Sequence, residues 1–283
     1  MDEKHMKMVI EQIAELYLKC NNKQEKCFPP TALFNETWML RLILDWFKQN
    51  NDKTTDEHFL HFSETAKWYS EPLLPTPFIR INKPEHRTSA DAILGEWESD
   101  GTKEGIKIPV KAKQFFVLEA KMNSGLSKST KNTQEEGYLQ SSRTIACMIQ
   151  MLYDRNGGSE KNTEDNIKVA YYVIAPEEKI KHIKGQMLQN SLSDNNGSDP
   201  QIRSVIKTQV ECRVKGSEGS DSDSLKNEWL PYLNNSIGAI HIGLETWEDI
   251  LDYIKNIDAD NNYDGLSFFY QKCIEYNLRG KSV

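Results

Sequence analysis

Cysteine is scarce in this chain, and what there is does not pair. Five cysteines in 283 residues, an odd number with no Cys-x-x-Cys spacing, fit reduced thiols in a core better than a disulfide framework or a zinc site. Long hydrophobic runs are missing as well. No apolar stretch approaches the roughly 18 residues that span a bilayer, and Met1-Asp2-Glu3-Lys4-His5 does not read as a signal peptide. No membrane attachment is expected, and the expected compartment is cytoplasmic. Positive charge is short: 35 Lys and Arg face 42 Asp and Glu, for a formal net charge of -7. That balance argues against a protein that coats nucleic acid by bulk electrostatics, but leaves room for a local basic surface. No helix-turn-helix, zinc finger or helicase motif is legible, so sequence specificity and any recruiting protein stay hidden.

What is present is a globular composition, 38% hydrophobic and 27% charged, long enough to bury a sizeable core. Its most informative stretch runs from Asp91 to Lys121. Asp91, Ile93, Gly95 and Trp97 alternate with Ala92, Leu94 and Glu96, Asp100-Gly101 is a strong turn signal, and Gln114 to Met122 is an apolar run. Strand alternation sets Phe115, Val117, Glu119 and Lys121 on one face, with Phe116, Leu118, Ala120 and Met122 on the other. Charge at the end of a buried strand is expensive unless compensated. Either an internal Glu119–Lys121 ion pair or a bound cation facing a phosphate would compensate it. A short strand over Ile106–Val110 completes an expected β-meander that brings Asp91 toward Glu119 and Lys121.

These residues resemble the PD-(D/E)xK nuclease superfamily, the restriction-endonuclease-like fold. Asp91 matches the first acidic residue and Glu119-Ala120-Lys121 the ExK element, while Ala90 stands where the family's proline is expected. The segment Tyr138 to Cys147, carrying Gln140 and Arg143, resembles the helix that follows the ExK element in many members. The resemblance covers roughly residues 35–176 and implies an α/β fold: a central mixed β-sheet with an αβββαβ core flanked by helices, plus helical N- and C-terminal additions. It implies Mg2+, with Mn2+ as a substitute, held by Asp91, Glu119 and the Ala120 carbonyl. Lys121 would orient the attacking water, and Glu36 would support the first metal or help hold a second. Gln140 and Arg143, with Lys128 and Asn132 of the loop after the ExK strand, would position DNA. The implied activity is hydrolysis of DNA phosphodiester bonds to 5′-phosphate products, in restriction, phage defence or repair. A catalytically silent nucleic-acid or protein binding module and an RNA-cleaving member of the same fold are the alternatives. A homodimer would make double-strand cutting natural, although no interface is legible.

The rest of the chain supports one domain over residues 1–283. A helix is expected over 4–20, and a second opens at Asn35, a good N-cap, with Glu36, Leu40, Ile43 and Phe47 on one face. Glu36 on that face reads either as a site carboxylate or as a first-turn residue complementing the helix dipole. His58 and His61, three apart, have no evident third metal ligand and read as core or surface residues. Ile79-Arg80-Ile81 is the expected first strand of the sheet. Lys103, Lys107, Lys111, Lys113, Lys128 and Lys131 are expected to flank the site as a basic surface, each also readable as an ordinary solvated lysine. A helix over about 134–153 and a strand over 167–176 follow, then a helix over 177–189. Residues 191–200 and 215–224 read as mobile loops and 202–214 is ambiguous. The C-terminal extension, 177–283, is expected to add a strand over 237–242 to the same sheet, and a helix opened by the capping-box pattern Thr246-Trp247-Glu248-Asp249. Asp260 to Gln271 carries the opening of a calcium loop but has Gln271 where a glutamate belongs, so a helix–helix turn is the preferred reading.

Overall fold

The computed structural model describes residues 29–82, 84–126, 138–158, 167–188, 199–257 and 262–277. The side chain of Asn35 accepts the Trp38 amide at 3.0 Å and opens helix α1 (Glu36–Gln49), which buries Leu40, Ile43 and Phe47 together with Met39, Leu44 and Trp46. Strand β1 (Lys67–Ser70) follows, then the short β2 (Leu73–Leu74) and β3 (Thr88–Ser89), which pair with each other. Next come β4 (Ala92–Gly95), the ribbon formed by β5 (Glu98–Ser99) and β6 (Ile106–Lys107), and β7 (Gln114–Ala120). Helix α2 (Gln140–Arg155) leads to β8 (Lys168–Ala175), α3 (Glu177–Met187), α4 (Asp199–Lys215) and α5 (Leu230–Ser236). Strand β9 (Ile240–Thr246), α6 (Trp247–Ile257) and α7 (Asn262–Asn277) end the described chain.

The central sheet has the order β1-β4-β7-β8-β9. Its first two junctions are antiparallel and its last two parallel. Parallel neighbours need long crossovers, and these are supplied by α2 between β7 and β8 and by α3 to α5 between β8 and β9. Strands β7 and β8 are buried on both faces, which explains their nearly continuous apolar sequences. On one face Phe115 and Val117 pack with Ile145 and Ile149 of α2, Ile183 of α3 and Ile206 of α4. On the other, Phe116, Leu118 and Ala120 pack with α1 and α6. The protein is thus mixed α/β, a five-stranded sheet between two helical layers. Among the described residues no helix is long and apolar enough to cross a membrane.

Several expectations shift. Ile79–Ile81 forms no strand, and Ile79 is exposed; β1, in the aromatic Trp68-Tyr69 segment, takes the edge position. Ile106–Lys107 leaves the sheet for the side ribbon, so β4 pairs directly with β7. The ambiguous 202–214 stretch lies inside α4, and helical structure from Ser222 to Ser236 occupies sequence with no expected element. The added strand does join the sheet, but over Ile240–Thr246, because Ile237–Ala239 is a 3-10 turn. The capping box forms, with the Asp249 amide donating to Thr246 Oγ1 at 3.0 Å. Asp264, Gly265 and Gln271 lie within α7, so the calcium-loop pattern is helix in its described part. The expected 4–20 helix and the 191–198 loop fall outside the described residues.

One glycine controls the join of β4 to β7. Gly95 has φ +143, and a Cβ there would lie 2.2 Å from the Gln114 carbonyl oxygen, so the two strands meet closely only because no side chain intervenes. Gly95→Ala should lower the unfolding free energy by about 3 kcal/mol, read as a reduced urea midpoint at unchanged slope. A midpoint equal to wild type would show that the backbone there yields freely.

Candidate active site

The β4–β7 register determines the site. Ala92 pairs with Leu118, so the next rung outward sets Asp91 opposite Glu119, side chains on the same face and Cβ atoms about 5 Å apart. Asp91 does not drift from that rung. Its Oδ2 accepts the Ala120 amide at 2.7 Å, and its own carbonyl accepts the Glu71 amide at 3.0 Å. Glu71 takes a left-handed backbone, φ 56, and Arg41 of α1 anchors this corner through Ser70 Oγ at 2.8 Å and Glu71 Oε2 at 2.7 Å.

Lys121 follows immediately after β7 and is fixed from both sides. Its amide donates to the Ile174 carbonyl at 2.8 Å, and its carbonyl accepts Nε1–H of the fully buried Trp247 at 3.0 Å. Its ammonium reaches back to pair with Glu119 Oε1. The same oxygen accepts from Gln140 Nε2 at 2.5 Å. Glu119 is only 1% exposed, and no donor group reaches its buried second oxygen, Oε2, so a hydrogen bond with Asp91 forms only when one carboxyl of the pair is protonated.

Burial, then the facing Asp91 carboxylate, push the Glu119 carboxyl from its ordinary 4.5 up to about 7, against the opposing pull of Lys121. Burial also raises Asp91, which lies close enough to Glu119 to share a hydrogen bond. Burial works against charge on Lys121 too, but Glu119 and Asp91 outweigh it and hold the ammonium above its ordinary value. Two carboxylates and one ammonium leave the pocket one negative charge in excess when all are ionised. A proton or a cation can fill that deficit.

The expected residues divide accordingly. The structure brings together Asp91, Glu119, Lys121 and Gln140. Glu36, the first residue of α1, stands near enough for its charge to favour the Lys121 ammonium, but it does not join the carboxylate pair. Among the described residues no three His, Cys, Asp or Glu side chains form a metal-binding group. Arg143 points elsewhere, with Nε 3.3 Å from Glu85 Oε2 and Nη2 3.1 Å from the His86 carbonyl. Lys128, Lys131 and Asn132 lie outside the described residues. Lys111 and Lys113 precede β7 whereas Glu119 is near its end, so about 20 Å of strand separates them. They do not flank the carboxylates as expected. Lys107 and Lys103 sit beside Glu98 and Glu104, at 3.5 and 3.6 Å. His58 stacks against Tyr253 and accepts the Leu60 amide at 3.1 Å, while His61 bonds Thr54 and Asp56. Neither histidine is free to share a metal with the other.

No family model, curated protein or solved structure matches this chain. The site is therefore read on its own geometry. A hard divalent cation prefers oxygen donors and keeps several waters when the protein supplies few. Asp91, the unpartnered Glu119 Oε2 and the Ala120 carbonyl are the donors that fit such an ion. Three groups carry the arrangement without having stood out in the sequence. Trp247 and the Ser70–Glu71 corner position Lys121 and Asp91. Tyr171 of β8 is fully buried with an unpartnered hydroxyl, and burial followed by the Glu119 and Asp91 charges raises its phenol well above the ordinary value. Strand alternation offered a clue, since Tyr171 pairs with Val117, on the Glu119 face.

The raised Glu119 value sets a direction for stability. A carboxyl raised on folding contributes stability that is complete below its unfolded value, about 4.5, and is lost as pH rises through about 7. Glu119→Gln mimics the protonated acid. In chelator-containing buffer the variant should melt close to wild type at pH 5 and roughly 7–14 °C above it at pH 8, given the rise from 4.5 to about 7, about 1.4 kcal/mol per pKa unit and about 2–4 °C per kcal/mol at this size. A variant that melts below wild type at pH 8 would show the ionised ion pair to be net stabilising.

Proposed function

We propose that this protein is a metal-dependent nuclease of PD-(D/E)xK type that hydrolyses DNA phosphodiester bonds. The observation that carries the reading is the unpartnered, buried Glu119 Oε2 facing Asp91, with the ammonium of Lys121 on the other oxygen of the same carboxylate. Support also comes from element order: α1, three antiparallel strands, α2 and the parallel β8 follow the αβββαβ sequence of that fold. A structural ion pair alone would need one carboxylate. The second, held opposite by the strand register, raises the energy of the apo site and has a purpose once a cation is bound.

Each residue then has a role. Asp91 and Glu119, with the Ala120 carbonyl, would hold Mg2+ or Mn2+, and Gln140 and Lys121 would fix Glu119 so that Oε2 is the oxygen presented. The bound ion would polarise a phosphodiester oxygen and lower the pKa of a coordinated water. Lys121 would orient that water and stabilise negative charge developing on the phosphate. Glu36 would tune Lys121 by keeping it charged. Glu119 and Lys121 are buried and Asp91 is half-buried, so their mutual interactions act in a poorly solvated setting that strengthens them. Products would carry 5′ phosphates, in a role in restriction, phage defence or repair.

Purified protein should nick or cut plasmid, linear or single-stranded DNA in Mg2+ or Mn2+ and stop on addition of chelator. Lys121→Ala should lower the rate by roughly 100-fold or more while melting as a folded protein. Cleavage that survives in Lys121→Ala removes the assignment. Inactivity on every DNA in both metals favours a nuclease fold that binds without cutting, and activity confined to RNA moves the substrate class.

A further inference from the structure

The end of the sheet away from Asp91 and Glu119 carries a concavity. It has a volume of about 710 Å³, within the usual range for small-molecule sites. One wall is basic. Lys113 and Lys168 stand side by side where β7 and β8 begin, joined by the Lys168 amide donating to the Lys113 carbonyl at 2.8 Å, and Lys111 lines the same cavity. All three are exposed, and no carboxylate of the described residues pairs with any of them. Surface lysines commonly lack partners. Three lysines against the two carboxylates that line the same cavity, Asp56 and Glu57, leave it with an excess of one positive charge.

The floor is aromatic. Phe59 lies against Tyr172 with ring centroids 4.5 Å apart, and Phe116 meets Tyr172 edge-on at 5.9 Å. Asp56 and Glu57 also line the cavity, Asp56 beside His61 Nε2 at 3.0 Å. Hydrogen bonds hold this frame: Gln114 Oε1 accepts the Ser63 amide at 2.9 Å, and its Nε2 donates to the His61 carbonyl at 2.8 Å. The cavity is preformed, and its lining combines basic, aromatic and acidic side chains. A long polyanion passing through would meet the carboxylates with the wrong sign. A compact ligand with an anionic end, a flat aromatic body and hydroxyl or amino donors on its far side satisfies all three.

The geometry points to a nucleoside polyphosphate site, with phosphates on Lys111, Lys113 and Lys168, the base against Phe59 and Tyr172, and Asp56 and Glu57 accepting from sugar hydroxyls or base amines. The site stands about 20 Å of strand from the carboxylate pair and does not require it. Isothermal titration in chelator-containing buffer should show ATP or GTP binding in the micromolar range. The paired substitution Lys113→Glu and Lys168→Glu should weaken this by roughly tenfold or more without moving the melting temperature. Phe59→Ala should weaken ATP but not inorganic triphosphate, and Asp91→Asn should bind ATP as wild type does. The proposal is overturned by absence of nucleotide binding at millimolar concentration, or by inorganic triphosphate binding as tightly as ATP. It is equally overturned by loss of binding in Asp91→Asn, or by a single-stranded oligonucleotide binding more tightly through the same lysines.

Discussion

A carboxylate buried opposite another carboxylate, with one ammonium to share between them, is the constraint around which this molecule is arranged. At the few-ångström spacing of facing strand residues, two like charges in a poorly solvated pocket repel by several kcal/mol. The fold accepts that cost and surrounds it with fixed partners. Ala120 offers Asp91 an amide, Gln140 offers Glu119 a side-chain donor, and Trp247 with Ile174 pins the Lys121 backbone. These contacts come from both helical layers and from strands on either side of β7. A cluster of charges maintained by so many independent elements differs from a surface ion pair, which contributes little and can form anywhere.

The sheet topology explains why the cluster sits where it does. In an open sheet with parallel strands, residues just past the carboxyl ends are released from the ladder while the strands still fix their direction. Glu119 and Lys121 stand at that end of β7. Asp91 reaches the same place from the opposite direction because β4 is antiparallel, its beginning aligned with the end of β7. The mixed character of the sheet is therefore what lets an aspartate before one strand meet a glutamate at the end of another. The opposite end of the same strands gathers Lys113 and Lys168, so the two concentrations of charge are kept apart by the length of β7. With a net negative chain, this separation prevents the lysines from neutralising the carboxylates within the molecule.

Much of this was legible because strand periodicity is strict. The alternation assigns Phe115 and Val117 to one hydrophobic cluster and Phe116, Leu118 and Ala120 to the other, and the capping residues Asn35 and Thr246 mark their helices. What the chain concealed involves distance or partnership between segments. Lys111 and Lys113 look close to Glu119 in sequence, yet an extended strand converts six residues into the length of the sheet. Arg143 has the spacing to accompany Gln140 on one helix face, but Glu85 lies nearer to it and takes its charge. The short Ile106–Lys107 strand could have paired with either neighbour, and the glycine at 95 decided the matter by letting β4 and β7 approach. Helix α4 was obscured by its weakly segregated pattern, with Arg213 buried beside Glu85 among apolar neighbours.

The arrangement of hydrogen bonds on Glu119 bears on which species fills the charge deficit. A protonated carboxyl needs an acceptor, and the donors already present, Lys121 and Gln140, both address Oε1. The proton would have to sit on Oε2 and be received by Asp91, making the pair one acid with one negative charge. That state is self-consistent, and it is the one that the raised Glu119 value favours at low pH. It also leaves the ammonium facing a neutral oxygen and gives Asp91 the whole of the remaining charge. A divalent ion held by Asp91 and Glu119, as proposed, would instead allow both carboxylates to ionise, would keep Lys121 paired, and would turn an electrostatic liability into an attraction. Strand register and donors crowded onto one oxygen of Glu119 are thus compatible with a shared proton, and they are also the features on which the proposed metal site rests.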